Sequence, residues 1–262
     1  MSEYVFMDWL FTIAGLAVGL LVGMTGVGGG ALMTPLLVLG FNIPPIIAVG
    51  TDLLFAAATK TVGTLTHGWQ GTVQWRLVAL LALGSLPSTL ITLNYLSELQ
   101  THVDELDSLI RFTLGVALLL TAILLILRNK LTEYIKSHPA KANTTLISVV
   151  TVLAGAALGV LVTISSIGAG AIGIVILSLL YPRLDTIKII GTDIAHAVPL
   201  TFLAGFGHFF VGSVDLNLLF WLLLGSIPGV YIGSRLSQLL PEKAVRYVLA
   251  SILFGVSLKL IS

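Results

Sequence analysis

The sequence predicts an all-α polytopic membrane protein built from two repeats of inverted topology. Hydrophobic residues make up 56% of the 262 and charged residues only 10%, and the mean hydropathy is +1.05. A soluble domain carries about 25% charged residues. The alternative, a soluble α/β protein with buried strands, therefore lacks the charged surface it would need. Apolar runs of about 20 residues recur along the chain, which is typical of repeated membrane spans.

Ten apolar segments, five in each half, indicate these spans. They cover residues 7–24, 30–40, 46–66, 75–96 and 108–127, then 144–164, 169–181, 186–211, 216–236 and 245–261. The second segment of each half has only 11 and 13 residues, a helix of about 17–20 Å against a bilayer core of about 30 Å. We therefore expect about eight full spans and two short or re-entrant half-helices.

The two halves repeat each other's small and polar residues. A shift of 140 residues pairs Ala14, Gly15, Gly19, Gly28 and Gly30 with Ala154, Gly155, Gly159, Gly168 and Gly170. A shift of 141 pairs Gly50-Thr51-Asp52 with Gly191-Thr192-Asp193, and His67, Gly84 and Pro87 with His208, Gly225 and Pro228. Apolar coincidence does not align Asp, His and Pro in order, so the pattern indicates a duplication. The predicted boundaries are 8–127 for the first repeat, 128–143 for a cytoplasmic linker and 144–262 for the second repeat.

The distribution of basic residues predicts the orientation, because cytoplasmic loops are enriched in Lys and Arg. Ten of the thirteen fit one topology on the cytoplasmic side: Arg76, Arg128, Lys130, Lys136, Lys141, Arg183, Lys188, Arg235, Lys243 and Arg246. Both termini are then external, and each half crosses the membrane an odd number of times. The halves are therefore expected to be inverted relative to each other, an architecture of secondary transporters.

A glycine-rich break precedes the short segment of each half and supplies most of the candidate binding residues. The breaks are Met24-Thr25-Gly26-Val27-Gly28-Gly29-Gly30 and Ile164-Ser165-Ser166-Ile167-Gly168-Ala169-Gly170. Unpaired N–H groups at the start of the next half-helix, together with its dipole, make an anion site. The alternative is a tight packing turn that uses glycine only for close approach. The candidate substrate-binding residues are Thr25, Gly26, Gly28, Gly29, Gly30, Thr51, Lys60, Ser165, Ser166, Gly168, Gly170 and Thr192.

Three ionisable residues lie within apolar segments, where charge is costly and is a functional hypothesis by default. Asp52 and Asp193 each follow Gly-Thr. Either they carry a coupling proton, or they order the chain by capping a helix end. Lys60 has Thr201 as its repeat mate. It either pairs with an anionic substrate or extends toward the cytoplasmic face.

Histidines can carry protons near neutral pH, so His196, His67 and His208 are candidates for coupling or for ordering the site. His196 lies three residues after Asp193, and the other two match across the repeat. The predicted topology places His67 and His208 near the membrane faces. An interfacial hydrogen-bonding role is the alternative for both.

The remaining sequence features narrow the function class. The chain has no cysteine, which excludes disulfides and thiolate metal sites. Gly28-Gly29-Gly30 is not followed by Lys-Ser/Thr, so no phosphate-binding loop for ATP is expected. The net charge is +1 without a basic patch, so no nucleic acid is expected as a partner. We predict no cofactor or metal. The expected partners are a small anionic substrate and the lipid bilayer, and a homo-oligomer is left open as an alternative to a single chain.

The residues from Gly23 to Gly30, followed by Pro35 and then by Gly50-Thr51-Asp52, resemble the sulfite exporter TauE/SafE family, also called the 4-toluene sulfonate uptake permeases. The likeness covers residues 8 to 261. The second half departs from the pattern: Ser165-Ser166 replaces Thr25-Gly26, Ala169 replaces Gly29, and Val175 replaces Pro35.

The resemblance implies a non-enzymatic, multi-pass transporter of the bacterial inner membrane that exports sulfite or an organosulfonate such as sulfoacetate. Coupling to the proton gradient is expected. Two other functions compete with this hypothesis: an anion channel, which should show a continuous polar face, and an intramembrane hydrolase that uses Asp52 and Asp193 as an acid pair.

Overall fold

The computed structural model describes residues 2–25, 30–99, 101–137, 144–236 and 242–261. Within these ranges the chain forms ten α-helices, one short π-helical segment and no strand. The helices are α1 (Ser2–Thr25), α2 (Gly30–Pro35), α3 (Pro45–Trp69), α4 (Trp75–Leu99), α5 (Val103–Ser137), α6 (Thr144–Ser165), α7 (Ala171–Leu180), α8 (Thr186–Phe210), α9 (Leu216–Leu236) and α10 (Glu242–Ile261). The π-helical segment, Leu36–Gly40, continues directly from α2.

The prediction of an all-α polytopic membrane protein is confirmed. In the described part of the chain, seven helices are long and apolar enough to cross a membrane. Helix α10 is not among these seven: it has 20 residues, of which Tyr247–Ile261 form a shorter apolar stretch. The short segments are α2 with its π-helical continuation, and α7. Helix α5 is longer than predicted, because it continues through the first ten residues of the expected linker, to Ser137.

Proline and glycine mark the ends of several helices. Pro45 opens α3, where the missing N–H costs no hydrogen bond. Pro35 ends α2, because its ring prevents the regular helical hydrogen bond at that point. Gly71 and Gly212 follow α3 and α8 at repeat-related positions with φ of 66° and 76°. This left-handed conformation favours glycine and reverses the chain toward the next helix.

Equivalent helices of the two halves pack either against equivalent partners or against each other. Helix α1 packs along α9, and the corresponding helix α6 packs along α4. Helix α3 packs against its own counterpart α8, and α5 against its counterpart α10. This pattern is the one expected of two equivalent halves around a shared centre. The α3–α8 contact lies between the halves and carries the candidate charged residues.

Glycine permits the closest of these contacts, and it does so at matching positions. A Cβ on Gly15 would overlap the Leu222 carbonyl, and one on the equivalent Gly155 would overlap the Leu81 carbonyl. Gly84 and its equivalent Gly225 are packed in the same way against backbone carbonyls of α6 and α1. Small residues allow such close backbone approach between membrane helices, where dispersion contacts drive association. These glycines therefore serve packing between the halves.

The inverted topology stays a prediction, and it rests on the Lys and Arg distribution. Reporter fusions at residue 1 and residue 135 should report opposite sides of the membrane, with residue 135 in the cytoplasm. The positive-inside rule gives this result if each half crosses the membrane an odd number of times. Reporters that lie on the same side would contradict the inverted arrangement. A third fusion in the acidic stretch at residues 96–107 should match residue 1.

Candidate functional site

The second break is a buried, irregular link between α6 and α7. Ser166 follows the last residue of α6 with φ of 59°, and Gly168 and Gly170 have φ of 133° and 132°. The Ser165 hydroxyl donates to the Leu161 carbonyl (2.7 Å) and accepts the Ile167 N–H (3.2 Å). Irregular backbone in a membrane protein is tolerated where protein or a watery cavity covers it. Here every residue of the break is buried.

Two backbone donors at the start of α7 have no partner among the described residues. The Gly173 N–H donates to the Gly168 carbonyl and the Ile174 N–H to the Gly170 carbonyl, each at 3.0 Å. The N–H groups of Ala171 and Ile172 take part in none of the hydrogen bonds formed by the described residues. A helix start with free N–H groups carries partial positive charge and attracts anions.

Lys60 reaches this break from the other repeat. Its side chain is 8% exposed, and Nζ donates to the Ala169 carbonyl at 2.9 Å. The side chain therefore stays inside the protein and does not extend to a membrane face. Its repeat mate Thr201 donates instead to the Ala197 carbonyl of its own helix, at 2.8 Å. The two repeats thus contribute unequally, with one ammonium directed at the second break.

Asp52 is held between two hydroxyl side chains. The Thr34 hydroxyl, on α2, donates to Asp52 Oδ2 at 2.5 Å. The Ser166 hydroxyl of the second break faces the same carboxylate. Among the described residues, neither Asp52 Oδ1 nor Ser166 Oγ forms a hydrogen bond that meets distance and angle limits. Asp52 therefore connects the short helix of the first repeat to the break of the second.

Asp193 lies beside the start of α7. A Cβ on Gly173 would overlap its Oδ1, so glycine at 173 makes room for the carboxylate. The backbone amide of Gly170 lies near the carboxylate, although neither oxygen has a hydrogen-bond partner of acceptable geometry in the described part of the chain. A buried carboxylate without hydrogen bonds is costly. It therefore calls for a functional explanation.

His196 completes the cluster around Lys60. Its Nε2 hydrogen-bonds the Ser85 hydroxyl of α4 at 2.9 Å, while Nδ1 is buried without a partner among the described residues. The Lys60 ammonium interacts electrostatically with Asp193, Asp52 and His196. The ion pairs found among the described side chains do not include Lys60. These attractions therefore act across a gap.

The structure thus brings together five of the predicted residues: Asp52, Lys60, Ser166, Asp193 and His196. It adds Thr34, Ser85 and Gly173, which the sequence analysis did not select. A threonine within the short apolar segment was a usable signal for Thr34. Nothing in the sequence pattern singles out Gly173, because its role depends on a carboxylate twenty residues away. The assembled group combines an ammonium, free N–H groups and two carboxylates, which suits binding an anion together with a proton.

Thr51 and Thr192 make equivalent contacts with backbone, away from the cluster. The Thr51 hydroxyl accepts the Asp215 N–H at 3.1 Å, just before α9 begins. The Thr192 hydroxyl accepts the Gln74 N–H at 3.0 Å, just before α4 begins. Each hydroxyl therefore pairs an N–H at the start of a helix in the opposite repeat. We predict from these contacts that both threonines hold the repeats together.

Thr51→Val or Thr192→Val should lower stability by about 0.5–1.5 kcal/mol, because each removes the hydrogen bond that the hydroxyl accepts from a backbone N–H. Binding of a sulfur anion by the folded fraction should remain unchanged. Thermal unfolding in detergent, followed by a binding titration, measures both effects. Thr→Ser at the same position keeps the hydroxyl and is the matched control. A variant with normal stability that no longer binds the anion would show instead that the threonine contacts the substrate.

The contacts between the repeats also include two histidines and two glycines from matching positions. A Cβ on Gly50 would lie 3.0 Å from His208 Cβ, and one on Gly191 would lie 3.0 Å from His67 Nδ1. His208 is buried and donates from Nε2 to the Thr163 carbonyl at 3.0 Å. His67 Nδ1 hydrogen-bonds the Thr72 hydroxyl at 2.8 Å. These contacts favour an ordering role for both histidines.

The first break is described only at its edges. Thr25 ends α1 and Gly30 begins α2. The predicted binding residues Gly26, Gly28 and Gly29 lie outside the described residues. Their assignment to the substrate site therefore remains a prediction from the sequence.

The chain is similar over most of its length to proteins named as probable membrane transporters. The chain is 41% identical over 255 residues to probable membrane transporter protein YjnA of Bacillus subtilis (strain 168), covering 95% of this chain and 98% of that one. It is 30% identical to probable membrane transporter protein YdhB of the same organism, over 87% and 89% of the two chains. A probable membrane transporter protein of Xylella fastidiosa (strain 9a5c) is 29% identical, over 84% and 81%.

No solved structure matches the chain significantly. The family model described as sulfite exporter TauE/SafE matches residues 11–260, which is nearly the whole sequence. That match includes both breaks, both buried carboxylates and Lys60. The chain is therefore a membrane transporter that belongs to the sulfite exporter TauE/SafE family.

Proposed function

We propose that this protein exports a small sulfur-containing anion, sulfite or an organosulfonate such as sulfoacetate, across the bacterial inner membrane. Transport is secondary, not enzymatic, and is coupled to the proton gradient. The observation that carries the proposal is the hydrogen bond from Lys60 Nζ to the Ala169 carbonyl. It holds a buried cation beside the start of α7, where two N–H groups have no partner in the described part of the chain.

The chemistry of this place supports a sulfur oxyanion as the ligand. A sulfonate or sulfite group presents several acceptor oxygens, and the site offers donors on an ammonium, on backbone N–H groups and on the Ser166 hydroxyl. Hydrogen bonds from charged donors contribute about 1.5–3 kcal/mol each. Burial keeps water from competing with these donors. The name of the family is consistent with this ligand class.

The buried carboxylates support coupling to protons. Asp52 and Asp193 are 0% and 1% exposed, and both lie on helices that meet at the contact between the two repeats. Ionisable side chains at such depth in transporters mark ion and proton pathways. An aqueous channel would need a continuous polar face, whereas these groups form one compact cluster. The geometry therefore favours a carrier with a single central site.

Flux into proteoliposomes tests the proposal. Purified protein reconstituted into vesicles should move labelled sulfite or sulfoacetate in response to an imposed pH gradient. Collapse of the gradient with a protonophore should slow this movement. Gly255→Ala is a matched control variant, because a Cβ at Gly255 meets nothing within 4 Å. Flux equal to that of protein-free vesicles, or flux indifferent to the gradient, would contradict transport or coupling respectively.

A further inference from the structure

Asp193 occupies the place where an anion would bind. Its carboxylate lies against the Gly173 Cα and near the Gly170 amide, at the positive end of α7. The Lys60 ammonium attracts both Asp193 and Asp52. The cation and the helix start that suit a substrate anion are therefore both directed at a resident carboxylate.

Two negative charges cannot share this place at an acceptable free energy. Each uncompensated buried ion costs several kcal/mol, and like charges in a low-dielectric interior repel strongly. We infer that Asp193 is an internal substitute for the substrate: a monovalent anion takes its place beside Lys60 and α7 only when Asp193 binds one proton. This inference rests on the proposed function and adds the charge class of the substrate and the proton-binding residue.

Asp193 suits the exchange better than Asp52 does. Asp52 receives the Thr34 hydroxyl and faces that of Ser166, and hydrogen bonds to a carboxylate favour its ionised form. Asp193 has no such bond among the described residues. The other groups that face Asp193 are Lys60 on α3 and the backbone of α7, while His196 interacts with the same ammonium. Protonation of Asp193 therefore disturbs no hydroxyl hydrogen bond of the described residues, unlike protonation of Asp52.

The exchange limits which anions are accepted. One proton compensates one negative charge, so the buried charge stays constant when a monovalent anion binds. A dianion would add a charge that nothing in the cluster balances. Hydrogensulfite or a monosulfonate should therefore bind better than a disulfonate or sulfate. Among the proposed substrates, sulfoacetate, whose carboxylate is also ionised near neutral pH, should bind more weakly than hydrogensulfite. Anion and proton carried together cross without net charge, so the direction follows their combined gradients and permits efflux when the internal anion is abundant.

Proton uptake on binding tests the inference directly. Purified protein in detergent is titrated with methanesulfonate, a monovalent anion that does not itself titrate near neutral pH. Calorimetry in buffers of different ionisation enthalpy measures the protons taken up. We expect about one proton per anion, and an affinity that falls about tenfold per pH unit once Asp193 is ionised in the free protein. Ethanedisulfonate, the divalent probe, should bind at least tenfold more weakly.

Two conservative variants separate the carboxylates. Asp193→Asn mimics the protonated acid, so it should bind methanesulfonate without proton uptake and with no dependence on pH. Asp52→Asn, the matched variant, should keep the uptake of one proton. Monodispersity is checked for both. The number of protons that the wild-type protein takes up per bound anion still tests the inference if a variant fails to fold.

The outcomes distinguish the inference from the proposed function. Binding by the wild-type protein without proton uptake, or unchanged uptake in Asp193→Asn, would overturn the inference while leaving an anion transporter. Equal affinity for the monovalent and divalent probes would overturn the assigned charge class. Failure of the wild-type protein to bind any sulfur anion, including sulfite and sulfoacetate, would count against the proposed function itself.

Discussion

Lys60→Met weakens the binding of a sulfur anion about tenfold to a hundredfold and leaves the helical fold intact. The variant removes a charge-assisted hydrogen bond, which contributes about 1.5–3 kcal/mol. Methionine keeps an unbranched chain of similar length and so preserves most of the packing. A binding titration with methanesulfonate, alongside thermal unfolding, measures the two effects.

Thr201→Val is the matched control for Lys60, because Thr201 is its repeat mate and is equally buried. Among the described residues, the Thr201 hydroxyl bonds only within its own helix, so its loss should leave anion affinity unchanged. Normal affinity in Lys60→Met would show that the ammonium serves the Ala169 carbonyl and the carboxylates without contacting substrate. Loss of affinity in both variants would point to a general disturbance of the α3–α8 contact.

Gly173→Ala abolishes transport, with an effect at least as large as that of losing the carboxylate. The added Cβ would take the position of Asp193 Oδ1, so the carboxylate must leave the start of α7. Displacement of a buried group by overpacking costs about 1–3 kcal/mol. Flux in proteoliposomes measures the functional loss, and thermal unfolding measures the loss of stability.

A second substitution separates the functional effect of Gly173→Ala from misfolding. Asp193→Ala removes the group that the new methyl displaces, so the double variant Gly173→Ala/Asp193→Ala should regain stability while flux stays absent. Gly255→Ala, on α10, should behave as wild type, because a Cβ there meets nothing within 4 Å. Full flux in Gly173→Ala would show that Asp193 can function from another position.

The sequence by itself determined the class of fold and the duplication. Its ten apolar segments correspond to the ten helices of the described structure, because bilayer burial forces backbone hydrogen bonds into local helices. Boundaries agreed closely at α3, α4, α6, α8 and α9, where glycine, proline or polar residues interrupt the apolar run. Helix α5 exceeded its predicted end, since residues 128–137 include charged and polar side chains but no glycine or proline that would stop a helix.

The charged residues of the site were also found from sequence, because ionisable groups stand out in apolar segments. Asp52, Lys60, Asp193 and His196 all belong to the central cluster. Their partners could not be found in this way. Thr34, Ser85 and Gly173 are ordinary residues of membrane helices, and only contact across the repeats gives them a role.

Only the tertiary structure decided which residues of the Gly-Thr-Asp motif contact the opposite repeat and which face the central cluster. Sequence placed Thr51 and Thr192 beside the carboxylates and suggested a shared site. In the fold, successive helical residues point in different directions, about 100° apart. The glycine and threonine therefore meet the opposite repeat, while the aspartate faces the centre. The direction of a side chain around its helix axis follows from packing, and packing depends on residues distant in the chain.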